Sequence, residues 1–344
     1  MRNWLLPDAI DDVLPAEAAD LEALRRTLLD HLADHGYRLV RPPLIEHLDS
    51  LLTGSGGDLE LLTFKTVDPQ SGRLVGIRAD ITPQVARIDA HLLNEPGATR
   101  LCYAGSVVRT LADGPGATRE VVQLGAELFG VAGIDGDREV IALLVSSLTG
   151  AGLRELHLDL GHMGVYRALA SAAGLGDNGD DAALFDALRT KDQPAVAALT
   201  RNLPAAWRDA LAALPELYGP ADDVLRAARA KLPDIPSIAN ALASLEALAQ
   251  AVAPLVVALH IDLADLRGYH YHNGAIFSVF TAGEPNAVGK GGRYDGIGKA
   301  FGRARPATGF TLDLRQLADV LTRVGSETTS EGAQASTSGG KSRL

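Results

Sequence analysis

The sequence of 344 residues contains one cysteine, Cys102. That excludes an internal disulfide and a cysteine-built zinc site. Cys102 is expected as a small buried apolar residue in a strand. No run of about 18 apolar residues occurs, so no membrane-spanning helix and no membrane partner are expected. The start, Met1 to Asp8, is too short and too soon acidic for a signal peptide, which leaves the cytoplasm as the expected location. Runs of lysine and arginine are also missing, and the net charge is -11. Proteins that hold nucleic acid through its phosphates need a basic face, so no nucleic-acid partner is expected. What is present is a composition 47% hydrophobic, enough for a sizeable core. The length fits two domains, or one large domain with an insertion.

Residues Ala16 to His35 carry Leu21, Leu24, Leu28 and Leu32 at helical spacing, and Gly36 is a good terminator. A short strand, Tyr37 to Val40, precedes Pro42-Pro43. Leu59 to Val67 and Arg73 to Ala79 read as a hairpin joined by Asp68-Pro69-Gln70-Ser71-Gly72, in which Pro presets φ and Gly accepts a positive φ. Thr82-Pro83 reads as a helix start with Thr82 as its cap. Arg100 to Val108 and Glu120 to Phe129 read as two long strands around a mobile loop at residues 112–117. A helix over Asp137 to Thr149 and a strand over Leu153 to Leu160 follow.

From about residue 165 to 253 the chain is Ala/Leu-rich and broken by prolines, and it reads as a helical insertion. Strand patterns return at Leu255 to Ile261, Ala275 to Phe280 and Ala307 to Leu312, and a last helix spans Asp313 to Arg323. The expected division is a core in two parts, 1–164 and 254–324, around the insertion 165–253, with a disordered tail at 325–344. Hairpin-connected strands with helices between them predict an α+β fold, a mostly antiparallel sheet flanked by helices.

Residues two apart on a strand share a sheet face, and Gln123, Gly125 and Glu127 form such a row. Arg109 ends the preceding strand, and Asp80 and Thr82 stand at a helix start. A small zwitterion needs an anion or carbonyl for its ammonium and a cation for its carboxylate. Glu127, Asp80 and Gln123 could supply the first, and Arg267 or Arg109 the second. A structural ion-pair network on an exposed face fits the same spacing. His260, His270 and His272 provide no fourth metal ligand, so no metal is expected. Gly54-Ser55-Gly56-Gly57 lacks the Gly-Lys-Ser/Thr ending of a phosphate loop and is read as a flexible loop. Lys290-Gly291-Gly292-Arg293 is read as a turn.

Five segments resemble the class II synthetase fold and, within it, the histidyl-tRNA synthetases. Gly36-Tyr37 through Glu46 resembles the dimer-forming first motif. Arg78-Ala79-Asp80-Ile81-Thr82 is similar to that family's Arg-Pro-Glu-x-Thr segment. Tyr103 to Arg109 and Arg119 to Glu127 resemble the second motif. Arg267-Gly268-Tyr269-His270-Tyr271-His272-Asn273-Gly274 and Gly291-Gly292-Arg293-Tyr294-Asp295-Gly296 resemble the histidine-recognising segments. The likeness covers residues 5–165 and 255–323. It implies histidine contacts at Asp80, Thr82, Gln123, Glu127, Arg267, Tyr271 and Tyr294, with Arg109 beside them.

The departures fall on the nucleotide side. Leu111 stands where the family has the glutamate of Phe-Arg-x-Glu. Val121 stands for the aromatic residue that stacks on adenine, and Gln316 for the arginine of the third motif. Losing these groups together removes several kcal/mol of ATP and transition-state binding. A synthetase also continues into a tRNA-reading domain, whereas this chain passes Phe310 to Leu314 into a polar tail. The pattern, with Leu266-Arg267-Gly268-Tyr269-His270-Tyr271-His272, resembles the regulatory subunits of ATP phosphoribosyltransferase. That resemblance implies no catalytic residues of its own, no cofactor, and histidine as effector. It also implies a hetero-oligomer with a short-form catalytic subunit, and self-association through a class II-type dimer interface. Two other readings are a histidine-activating enzyme without a tRNA-binding domain and a synthetase-like module that senses histidine or uncharged tRNA.

Overall fold

The two long alternating runs on either side of residue 114 become the longest strands of a central sheet. This computed structural model describes residues 5–54, 57–114, 116–175, 181–268 and 271–324. Twelve strands lie among the described residues. They are β1 (Arg38–Leu39), β2 (Ile45–His47), β3 (Phe64–Val67), β4 (Leu74–Ile77), β5 (Thr99–Val108) and β6 (Glu120–Phe129), then β7 (His157–His162), β8 (Tyr218–Pro220), β9 (Ala258–Asp262), β10 (Ala275–Phe280), β11 (Gly289–Arg293) and β12 (Ala307–Asp313). Nine form one sheet in the order β1-β5-β6-β12-β11-β10-β7-β9-β8, and three form a small sheet β2-β4-β3. Only β1·β5 and β7·β9 pair in parallel, so the large sheet is mostly antiparallel, the α+β architecture expected.

The period of two decides what each face of that sheet does. On β6, Leu124, Ala126 and Leu128 point into the main core, against the helices. Helix Gly133–Gly150 presents Val140, Ile141, Leu144 and Leu148 to that face. Burying each such side chain stabilises the fold by about 1.5–3 kcal/mol. Val121 and Phe129 point to the other face, into a smaller cluster with Leu101, Tyr103, Val107 and Tyr294. Gln123 and Glu127 lie in that second row, so the polar row faces away from the helical core.

The helix Pro15–Asp34 lies where helical spacing placed it, and Leu28 and Leu32 are its buried residues. Helices fill most of residues 163–252, ending in Pro236–Val252. The stretch Pro236–Leu255 is long and apolar enough to cross a membrane. Here it packs on β7 and on helices Gly133–Gly150 and Met163–Ala172, with Ile238, Leu242, Leu245 and Val252 buried. The final helix spans residues 314–324 and buries Leu314, Leu317 and Val320. The tail expected from residue 325 onward lies outside the described residues.

Four local expectations are corrected. Leu59 to Leu62 belongs to a helix, Gly57–Leu62, and the hairpin is confined to β3 and β4. Its turn is held by Asp68, whose carboxylate accepts from the backbone of Gln70 and Ser71 at 3.1 Å each, with Gly72 at φ 68°. Thr82 does not cap its helix. The carboxylate of Asp80 accepts the Thr82 N–H at 3.0 Å, and the Thr82 hydroxyl is paired instead with Tyr103. The proline-broken stretch at 165–253 contains a strand, β8, which pairs with β9 at the sheet edge.

The fourth correction concerns the Lys290–Arg293 turn, which is strand β11 in the middle of the large sheet. Its glycines mark close approach rather than a reversal. In register, Gly291 lies opposite Phe277 and Phe310, and a Cβ there would run into the Phe277 ring and the Gly309 carbonyl.

Candidate functional site

The polar face of β6 opens on a cavity of about 270 Å³. Asp80, Thr82, Glu127, Arg267, Tyr271 and Tyr294, six of the eight residues expected from sequence, line it together. Its floor is Glu127, which is 1% exposed. The Tyr103 hydroxyl donates to Glu127 Oε1 at 3.0 Å, and the Tyr294 hydroxyl donates to Oε2. Thr82 Oγ1 is 2.9 Å from the Tyr103 hydroxyl, which joins the helix start to the floor.

Two glycines make this arrangement possible. Gly309 lies opposite Glu127 in register, and a Cβ there would occupy the place of the carboxylate. Gly125 lies opposite Tyr103 and leaves the space its ring fills.

Burial pushes the Glu127 carboxyl up from the ordinary 4.5 to about 8, and nearby Asp80 adds to the rise. The tyrosine hydrogen bonds oppose that shift without cancelling it. Burial likewise holds the Tyr103, Tyr271 and Tyr294 phenols well above their usual range. At neutral pH the floor is therefore mostly neutral until a cation approaches it.

Gln123 stands behind the wall rather than on it. Its Nε2 donates to Asp80 Oδ1 at 2.8 Å, while its Oε1 accepts the Ile81 N–H at 2.9 Å. It braces Asp80 and borders a second cavity. Arg109 is also absent from the first cavity's lining and borders the second, with Asp113 at 3.9 Å. Arg267 is on the wall, in a bidentate pair with Asp265.

Asp265 and Ser278 also line the cavity and were not singled out by sequence reasoning, and His272, weighed there as a metal ligand, lines it too. Tyr103, which holds Glu127, was also missed. The Gly125 of the polar row was the available signal, since a glycine in a long strand makes room for a partner across the ladder. His272 was expected on a strand face with His270. It lies instead in the loop before β10, and His270 is outside the described residues. Burial lowers the His272 ring to about 4, so it is neutral at physiological pH. Its ring meets Tyr271 edge-on at 5.1 Å. Among the described residues, no group of three or more His, Cys, Asp or Glu could hold a metal ion. Arg293 turns away from the cavity into a buried pair with Asp137 at 2.9 Å and ties β11 to helix Gly133–Gly150.

The second cavity, about 460 Å³, adjoins the first and shares Arg267, Lys290 and Thr311 with it. Arg109, Lys290, Arg315 and Arg323 bring positive charge to it, and each has a carboxylate of the chain beside it. Asp113 lies 3.5 Å from Lys290 as well as near Arg109, Glu17 lies 3.8 Å from Arg315, and Glu284 pairs with Arg323. Val121 and Gln316 line the cavity, and the Gln316 amide donates to the Ala287 carbonyl at 3.3 Å. Leu111 points to solvent. Asp313 is half-buried at its wall, and desolvation raises its carboxyl.

Residues 9–317 match the family model described as Histidyl-tRNA synthetase. The ATP phosphoribosyltransferase regulatory subunit of Ralstonia nicotianae is 56% identical over 320 residues, covering 93% of this chain and 82% of that one. The regulatory subunit of Thiobacillus denitrificans is 55% identical over 317 residues, covering 92% and 98%. Among solved structures, an ATP phosphoribosyltransferase regulatory subunit/histidyl-tRNA synthetase from Bacillus halodurans superposes with a TM-score of 0.82 at 26% identity, over 93% of this chain and 83% of that chain. A histidine–tRNA ligase subunit from Alicyclobacillus acidocaldarius gives 0.77 at 25% identity, over 94% and 99%. The chain thus belongs to the ATP phosphoribosyltransferase regulatory subunit family, whose fold is that of the histidyl-tRNA synthetases.

Proposed function

We propose that this chain is a non-catalytic subunit that activates a short-form ATP phosphoribosyltransferase in the first step of histidine biosynthesis. In this reading histidine binds the first cavity and feeds back on the complex, and the chain itself does not aminoacylate tRNA. The observation that carries it is the contrast between the two cavities. The first offers carboxylates for an ammonium, a guanidinium for a carboxylate, and an aromatic wall. The second has Val121 and Gln316 where a synthetase grips ATP, and a chain carboxylate beside each of its cations.

Each cavity residue takes a role. Asp80, braced by Gln123, and Glu127 receive the ammonium. Arg267 receives the carboxylate, and Tyr271 and Tyr294, with ring centroids 4.8 Å apart, form the wall beside the side chain. Arg109 belongs to the rim of the neighbouring cavity. A bound cation stabilises the Glu127 carboxylate, so binding releases the proton that burial retains there. Feedback then requires histidine to bind one state of the complex more tightly than another. Self-association through the β1–β2 segment is part of the reading and is supported by the exposure of Leu39, Leu44 and Ile45 there. So are the division into a core at 1–164 and 254–324 around a helical insertion at 165–253, and work in the cytoplasm.

The test is phosphoribosyl transfer by a short-form catalytic subunit of the same organism, with and without this chain, each with and without histidine. Activation by the chain and histidine inhibition of the complex are the expected results. No effect on rate or inhibition contradicts the proposal.

A further inference from the structure

Three carboxylates line the first cavity, Asp80, Glu127 and Asp265. The first two are held by neutral donors, the Gln123 amide and the Tyr103 and Tyr294 hydroxyls. Asp265 is held by a cation. It stands two residues before Arg267 in the loop after β9, and its Oδ1 accepts from the Arg267 backbone N–H at 3.2 Å and from Nε at 2.8 Å. Its Oδ2 accepts from Nη2 at 2.6 Å. This is the two-bond fork by which a guanidinium takes up any carboxylate. Nη2 also donates to Ser278 Oγ at 3.2 Å. The Asp265 side chain is 13% exposed and that of Arg267 48%, so the carboxylate lies inward and the guanidinium is reachable.

We propose that Asp265 is a built-in competitor for the carboxylate subsite of this cavity. An α-amino acid is held by Arg267 only as Asp265 gives up the Nε–Nη2 edge. The inference rests on the reading of this cavity as an amino-acid site. The competitor is attached two residues away, so its effective concentration is high and it opposes binding at every ligand concentration. Asp265 also repels an incoming carboxylate in a partly desolvated space. The consequence is a site set to weak affinity, which fills when the free amino acid accumulates rather than at trace levels. A ligand with an ammonium and an imidazole but no carboxylate meets no such competition, and Asp265 adds to its attraction.

The test is a calorimetric titration of the full chain and its Asp265→Asn variant with histidine and with histidinol, in which CH2OH replaces the carboxylate. Asparagine keeps an oxygen for the Arg267 N–H donors and removes the charge. Asp265→Ser, read in the same way, removes the fork altogether. Histidine is expected to bind the variants about tenfold more tightly than the unmodified chain. Histidinol is expected to gain nothing. Equal or weaker histidine binding by both variants overturns the inference, as does an equal gain for both ligands. The unmodified chain provides the separate control. If it and both variants are folded by thermal melting and none binds histidine, the amino-acid reading itself fails and takes the inference with it.

Discussion

The two adjoining cavities are built from the same strands but treat charge in opposite ways. In the first, Glu127 and Asp80 are held by neutral donors, Gln123 and the tyrosine hydroxyls, so both carboxylates remain able to accept a cation. In the second, Arg109 and Lys290 share Asp113, Arg315 has Glu17, and Arg323 has Glu284, so the positive groups are already answered. A triphosphate is recognised by uncommitted cations and by developing-charge stabilisation. A small zwitterion needs one group of each sign. Under the proposed reading, one sheet presents an amino-acid cavity beside a second, larger cavity whose cations already face carboxylates of the chain. The exceptions are Arg267 and Lys290, which line both cavities and are also paired.

The largest expected effect comes from the floor of the first cavity. Glu127→Ala, and the milder Glu127→Gln, should reduce histidine affinity by about a hundredfold or more, since a buried charged partner is lost. Thermal melting should show both variants folded, and retained binding in calorimetry would place the histidine site elsewhere.

Proton linkage sharpens the same point. Glu127 has a raised carboxyl, so binding a cation costs its deprotonation below about pH 8. Histidine affinity should climb by up to about tenfold per pH unit between pH 6.5 and 8 and then level off. Titrations in buffers of different ionisation heat should show one proton released per histidine below pH 8. The sign for the free chain is the reverse. The native state retains a proton that the unfolded state loses above the ordinary 4.5, so Glu127 contributes stability below pH 4.5 that is lost as pH rises to about 8. Chemical denaturation of the chain and of Glu127→Gln across that range should show this slope in the difference between the two.

Tyr103→Phe should have a smaller effect, about fivefold to tenfold weaker binding, because one hydrogen bond to a buried carboxylate is removed while the ring still fills the space beside Gly125. A Tyr103→Phe chain that binds histidine normally would separate the hydroxyl network from ligand binding. The smallest effect is expected in the second cavity. Arg109→Ala should change histidine affinity by less than about twofold, as for a solvent-screened pair at a rim. A large loss would show that the two cavities act as one site.

The parts of this contrast legible in the sequence are those governed by strand period. Strands over Arg100 to Val108 and Glu120 to Phe129 were expected, and β5 and β6 occupy Thr99–Val108 and Glu120–Phe129. Alternation alone placed Gln123 and Glu127 on one face. Strand β11 was not legible, because the local signal of Lys290-Gly291-Gly292-Arg293 is that of a turn. Only the Phe277 ring and the Gly309 carbonyl across it explain why a side chain is excluded at Gly291. Leu59 to Leu62 was misread because a short apolar run fits a strand or a helix equally well. In the site, the position of Asp80 was legible, but not that its carboxylate takes the Thr82 N–H while the Thr82 hydroxyl caps nothing, since that depends on Tyr103 pairing with the hydroxyl from across the sheet. The Asp265–Arg267 pair spans two residues in sequence yet reads as an ordinary loop until the fold brings Ser278 beside it.

The central claim is that the first cavity accepts histidine and the second does not accept ATP. Calorimetric titration of the full chain with histidine, followed by ATP in the presence of saturating histidine, tests it most directly. One histidine bound per chain and no heat from ATP are the expected results. ATP binding in the second step, or no histidine binding in the first, would contradict it.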